Sequence, residues 1–269
     1  MKQSLSDISK GQIIFLKNRK RHQQIVRISR IMIMAGFLLL WELTTSLGII
    51  DSFIFSSPIK IMLCFWNMII DKSIFLHIGI TLYETIISFI LVTVFSVLTA
   101  VALWFSDKLS EILEPYLVIL NSLPKSALAP LLIVWLGANQ RTIIVAGMSV
   151  AIFGSIMHLY TSFRTVDPGK IKLIYTLRGT KMQVLSKVVL PSSIPVIISN
   201  MKVNIGLCLV GVIIGEFLAA KSGLGYLIIY SSQVFKMDWL LMSIVLLCIM
   251  AMGLYALITA LERWCKKKY

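Results

Sequence analysis

Blocks of apolar residues, each close to the length of one bilayer crossing, constrain this chain more than any other feature. A crossing helix needs roughly 20 consecutive apolar residues, and six stretches approach or exceed that length: 31–47, 78–105, 113–136, 142–162, 194–218 and 239–261. Hydrophobic residues make up 58% of the 269, mean hydropathy is +0.88, and the apolar positions run in blocks rather than in the stripes of a soluble helix. The fold class that follows is an all-α polytopic membrane protein with about six transmembrane helices. The second block opens with TLYETIISF, read as interfacial or packed inside the protein. The third is interrupted by LPKSALAP and is expected as two broken halves, because Pro124 and Pro130 each remove a backbone donor. Between the first two blocks, SSPIKIMLCFWNMII is expected as a short helix at the outer interface.

Twenty-six Lys and Arg stand against twelve Asp and Glu, a net charge of +14. In a soluble protein that balance would raise the question of nucleic acid. Here its distribution gives the reason. Segments 1–30, 106–112, 163–193 and 262–269 carry 8, 1, 6 and 4 Lys or Arg, whereas the alternate segments 48–77, 137–141 and 219–238 carry 2, 1 and 2. Basic loops stay in the cytoplasm, so both termini and 163–193 are expected there, with lipid as a partner and no nucleic acid. Residues 1–30 read as a basic cytoplasmic extension and 31–269 as one transmembrane domain. The 31–47 block is too long for a signal peptide and lacks an A-x-A-like exit.

Enzyme chemistry finds no support in the motifs. Cys64, Cys208, Cys248 and Cys265 form no C-x-x-C pair, and His22, His77 and His158 have no metal-binding spacing. There is no G-x-S-x-G elbow. The only Gly-Lys step, Gly169-Lys170, has Arg164 where a phosphate loop needs its first Gly. The chain is expected to hold no metal or cofactor and to hydrolyse no ATP by that chemistry.

The segment DPGKIKLIYTLRGTKMQVLSKVVLPSSIP, 167–195, is polar and basic between two apolar blocks. Asp167 can cap a helix whose first residue, Pro168, gives up a donor that had no partner. That helix is expected to reach about Arg178, with Ile171, Ile174 and Leu177 on its apolar face, widened by Leu173, and with Lys170, Lys172 and Arg178 supplying charge. Gly179 is expected to end it in the left-handed conformation. Thr180 and Gln183 then form a capping box for a second helix, and Pro191 and Pro195 mark the start of the fifth span. Helix, turn and helix make a compact knob, suited to a protein partner, although a basic helix of this kind also suits anionic headgroups.

This segment resembles the cytoplasmic coupling loop of ABC-importer permeases, at its DP start and at KVVLPSSIP. The family's Glu-Ala-Ala positions hold Lys172, Leu173 and Ile174 here, and its usual Gly position holds Arg178. NSLPKSALAPLLIVWLG, VIIGEFLAAKSGLGYLI and LLWELTTSLGIIDSFIFSSP are similar to segments of the nitrate/sulfonate/taurine class, which also includes transporters of pyrimidine and riboflavin precursors. The resemblance implies a type I importer (MetI-like) permease fold, with its core at about 75–262 and its coupling loop at 167–191. It further implies a homodimer in a bacterial cytoplasmic membrane, cytoplasmic ATPase subunits that bind the ATP, and an extracytoplasmic solute-binding protein. The coupling residues it points to are Asp167, Pro168, Lys172, Ile174, Leu177, Arg178, Gly179, Leu190 and Pro191.

Ionisable groups inside spans are functional candidates by default, and Glu42, Glu84, Lys125, Lys202 and Glu216 are of this kind. They can instead pair with one another or with freed carbonyls. A broken helix is tolerated at membrane depth where it faces protein or a water-filled cavity, so Pro124, Lys125, Ser126 and Pro130 are candidates for a translocation path. Asn200, Asn204 and Glu216 are further candidates, the two asparagines being equally suited to interhelical hydrogen bonds. Lys125, at a position usually Pro in the look-alike stretch, hints at an anionic solute, with a vitamin precursor as the other option. Gly211 and Gly215 form a G-x-x-x-G that lets two helices approach closely. An ion-coupled secondary transporter is the alternative, with the buried charges as its coupling residues, although the inverted repeats it predicts are not visible. A membrane-anchored scaffold would leave the broken third span without a reason.

Overall fold

A computed structural model describes residues 10–268, and every regular element among them is helical. Residues 1–9 of the expected basic extension, and Tyr269, lie outside the described residues. The chain divides into two compact units, 1–63 and 64–269.

The first unit opens with α1 (Lys10–Ser46), a single helix of 37 residues whose stretch Arg21–Ser46 is apolar enough to cross a membrane. The boundary expected at residue 30 is not a structural one. From Gln12 to Ala35 the sequence has neither Gly nor Pro, so nothing stops the helix where the charge stops. The short α2 (Ser52–Phe55) is capped by Asp51, whose carboxylate accepts from Phe53 N at 2.8 Å. At the start of α3 (Pro58–Ile70), Glu42 Oε2 accepts from Ile59 N at 3.1 Å. Glu42 thus serves as a helix cap, a role that pairing with other charges or freed carbonyls did not cover.

The second unit is built on α4 (Ser73–Phe105), α7 (Gln140–Arg164) and α10 (Leu190–Ala219). Close approach of α7 and α10 explains the small residues. A Cβ added at Gly211 would lie 2.8 Å from Gly147 Cα and 2.9 Å from the Ala146 carbonyl, and one at Gly215 would lie 3.1 Å from Ile143 Cα. The G-x-x-x-G therefore packs two helices of the same chain. On its other side, Gly147 leaves room for Ser88 of α4, whose Oγ would be 2.6 Å from the added Cβ.

The third block is two helices, α5 (Asp107–Ser122) and α6 (Lys125–Leu136), bent by 98°. The break falls at Leu123-Pro124, where the proline holds Leu123 in extended geometry (φ −63°, ψ 140°). Pro130 does not break the chain, contrary to the expectation of two interrupting prolines. It lies inside α6, which loses a single ladder bond there. After α7 come α8 (Pro168–Thr176), α9 (Lys181–Val184) and a five-residue π-helical segment (Leu185–Val189) that runs into α10. The last elements are α11 (Leu224–Gln233) and α12 (Met237–Lys268). Five of the described helices can cross a membrane, and the bent α5–α6 pair makes up to six. The protein is a multi-pass membrane protein.

Candidate functional site

The knob between α7 and α10 is anchored from below. Ile171 and Ile174 of α8 and the buried Val184, Leu185, Val188 and Val189 pack with Ala100 and Leu103 of α4 and with Leu159 and Phe163 of α7. Leu190 joins the same cluster at its edge. Lys181 adds a polar tie: its Nζ donates to the Phe105 carbonyl at 2.9 Å and lies 5.4 Å from the centroid of the Trp104 ring. A cation at the C-terminal end of α4 also complements the helix dipole.

Local signals built the knob largely as expected, with two corrections. Asp167 accepts from Gly169 N at 2.8 Å with Pro168 opening the helix, and both halves of the Thr180–Gln183 capping box are formed. The first helix stops earlier, at Thr176, so Leu177 caps it and points outward, 72% exposed, with Leu173 at 59%. The inward face belongs to Ile171 and Ile174. The left-handed residue is Arg178, at φ 57°, rather than Gly179. Arg178 N donates to Tyr175 O and Gly179 N to Ile174 O, each at 2.9 Å, which is the bonding of a Schellman motif with Arg178 at its left-handed position. Gly179 is needed for space. A Cβ there would lie 2.4 Å from Ile174 Cγ2 and 2.9 Å from the Ile174 carbonyl. The outward surface carries Leu173, Tyr175 and Leu177 beside the exposed Lys170, Lys172 and Arg178.

Pro191 follows the π-helical turn, in which Leu190 N reaches back to Leu185 O. A proline cannot donate, and in regular α geometry its ring meets the carbonyl four residues back, so the wider turn relieves the conflict and lets the helix continue. From Lys181 to Ala219 the chain is thus one helical rod of 39 residues.

The candidate path residues divide. Pro124, Ser126 and Pro130 are exposed along the bend of α5 and α6, with Lys125 half-buried. The Lys125 ammonium donates to the carbonyls of Leu120 and Asn121, which the end of α5 leaves without helical partners. Asn200 and Asn204 are buried among helices. Their amides donate to Ser155 Oγ of α7 at 2.6 and 2.9 Å, and Ser155 donates to Ser96 Oγ of α4 at 2.9 Å. They form interhelical hydrogen bonds. Lys202 pairs with Glu262 of α12.

Glu216 lies at the far end of the rod, where it shapes the turn into α11. Its carboxylate accepts from Thr81 Oγ1 at 2.6 Å and from Gly225 N at 2.5 Å, while Leu224 N donates to Thr81 Oγ1 at 2.8 Å. It sits at the N-terminus of α11, where free N–H groups and the helix dipole favour an acceptor. Gly223 (φ +124°) and Gly225 pass so close to it that a Cβ on either would meet a carboxylate oxygen at 2.4 or 2.7 Å. His77 completes the turn, accepting from Gly223 N at 3.0 Å with its ring stacked on Tyr226. Sequence reasoning missed Thr81, Ser96, Ser155 and His77. One signal for the first of these was present: Thr81, Glu84, Thr85 and Ser88 recur at helical spacing within an apolar block and form one buried face.

Residues 93–269 match the family of binding-protein-dependent transport system inner membrane components. The chain belongs to that family. It is an ABC transporter permease of the MetI-like class. A Haemophilus influenzae chain described as an ABC transporter permease protein is 27% identical over 231 residues, covering 86% of this permease and 94% of that chain. A Bacillus subtilis chain described as an aliphatic sulfonates transport permease protein, SsuC, is 24% identical, covering 85% of this permease and 83% of that one. Among solved structures, an inward-facing form of the MetNI methionine ABC transporter superposes with a TM-score of 0.59 at 16% identity, over 74% of this permease and 96% of that chain. That likeness shows the fold.

Proposed function

We propose that this permease is the membrane subunit of an ATP-driven importer in a bacterial cytoplasmic membrane, working as a homodimer whose two copies enclose the path. Both termini and the knob face the cytoplasm, where ATPase subunits bind and hydrolyse ATP. An extracytoplasmic binding protein hands over a small polar or anionic solute of the sulfonate, taurine or nitrate kind, or a vitamin precursor. The observation that carries the reading is the knob itself: apolar side chains exposed beside three cations on α8 and the turn after it, packed onto α4 and α7, with the following α9 running on into α10. Such a surface suits a cytoplasmic protein partner, and a continuous helix suits the passing of its movement into the membrane. The bend at Leu123-Pro124 fits the path, as expected of broken helix at membrane depth. Lys125 lends the anionic solute little support, since its ammonium is already bonded to carbonyls. The relative's description is what favours it.

The test is purification of the tagged permease in mild detergent from its own host, with mass spectrometry of what stays bound. A copurifying phosphate-loop ATPase is the expected result. A chain that comes out alone and moves solute in liposomes without ATP would overturn the importer reading.

A further inference from the structure

Glu84 of α4 and Glu216 of α10 are two buried carboxyls that coupling to an ATPase leaves unused. Glu84 lies one turn beyond Thr81 on the same face of α4, fully buried. Glu216 of α10 reaches the same face, since its carboxylate is bonded to Thr81 one turn away. No protein donor serves either oxygen of Glu84, and neither is open to water. Glu216, by contrast, accepts from Thr81 and from Gly225 N. Ionised carboxylates only accept, so two carboxyl groups bond to each other only through a proton carried by one of them. A carboxylate left ionised and unpaired in such a place carries a large desolvation cost. The other titratable or charged groups around the pair do not relieve it. His77 of α4 is engaged with Gly223, and Lys221, on the turn after α10, is exposed.

We propose that Glu84 carries a proton and donates it to Glu216, so that the pair is a one-proton binding site that ties α4 to the turn between α10 and α11. Glu84 also lines a cavity of about 280 Å³, together with Asn139, Gln140, Lys221 and Ser222. Loss of the proton leaves two facing carboxylates that repel, so the tie loosens as pH rises. This inference stands on the packing of the chain and holds whether or not the importer reading does.

Infrared spectroscopy of the full chain in lipid nanodiscs, with thermal unfolding across pH, decides it. The expected spectrum has the carbonyl stretch of a protonated carboxylic acid at neutral pH, which disappears reversibly as pH is raised, together with a fall in melting temperature. Glu84→Gln, whose amide can donate the same bond, is expected to lose the band, keep wild-type stability at neutral pH and no longer loosen as pH rises. Absence of the band from the wild type, or its persistence in Glu84→Gln, would overturn the proposal. Should that variant fail to fold, the wild-type titration decides alone. A band that fades as stability falls supports the pair, and one indifferent to pH refutes it.

Discussion

Arg178 holds a backbone conformation that glycine adopts far more easily, and the residue beside it is a glycine used for something else. A left-handed conformation costs an L-residue roughly 1–2 kcal/mol. Arg178→Gly is therefore expected to stabilise the knob by about 1 kcal/mol, read as slower hydrogen exchange across 168–184 in the full chain. Gly179→Ala is expected to act the other way. Its Cβ would press on Ile174 Cγ2 and on a backbone oxygen, at a cost of about 1–3 kcal/mol, and the same exchange experiment should show the knob loosened. From the sequence, a Gly after a basic amphipathic helix reads as the left-handed stop. Which of two neighbouring residues takes that conformation depends on where α8 ends, and that depends on Ile171 and Ile174 turning inward onto α4 and α7.

At the scale of elements, the α4–α7–α10 core relies on small residues and shared hydroxyls, because lipid supplies no hydrophobic drive to bring helices together. Ser155→Ala removes the acceptor used by both asparagine amides and is expected to cost about 1–2 kcal/mol, measured by denaturant-titrated loss of helix signal. Gly211→Leu sets a side chain against the backbone of α7, with an expected cost of about 3 kcal/mol in the same assay. The G-x-x-x-G was legible in the sequence, as were the asparagines one turn apart. Their partners were not, since Ser155 lies 45 residues from Asn200, and nothing local marks it among the serines of the chain.

For the whole molecule, the rod from Lys181 to Ala219 is the consequential feature: 39 residues, about 58 Å at 1.5 Å per residue, joining the knob to the Glu216 turn. A rigid lever transmits only if its attachment is stiff. Inserting flexible glycines directly after Gly179 is expected to abolish transport in liposomes reconstituted with the ATPase partner, while the permease still folds; transport that survives the insertion would count against the lever. The sequence by itself determined the helical membrane class, the approximate spans, the broken third span and the capped helices of the knob. Those rest on span length and on contacts between residues a few positions apart, which a linear chain displays. Only the tertiary structure decided that Gly211 meets Gly147 within one chain, that Asn200 and Asn204 share Ser155, and that Glu216 closes a turn with Thr81, 135 residues away. A buried polar group finds its partner across the packed helices, and its identity depends on how they cross.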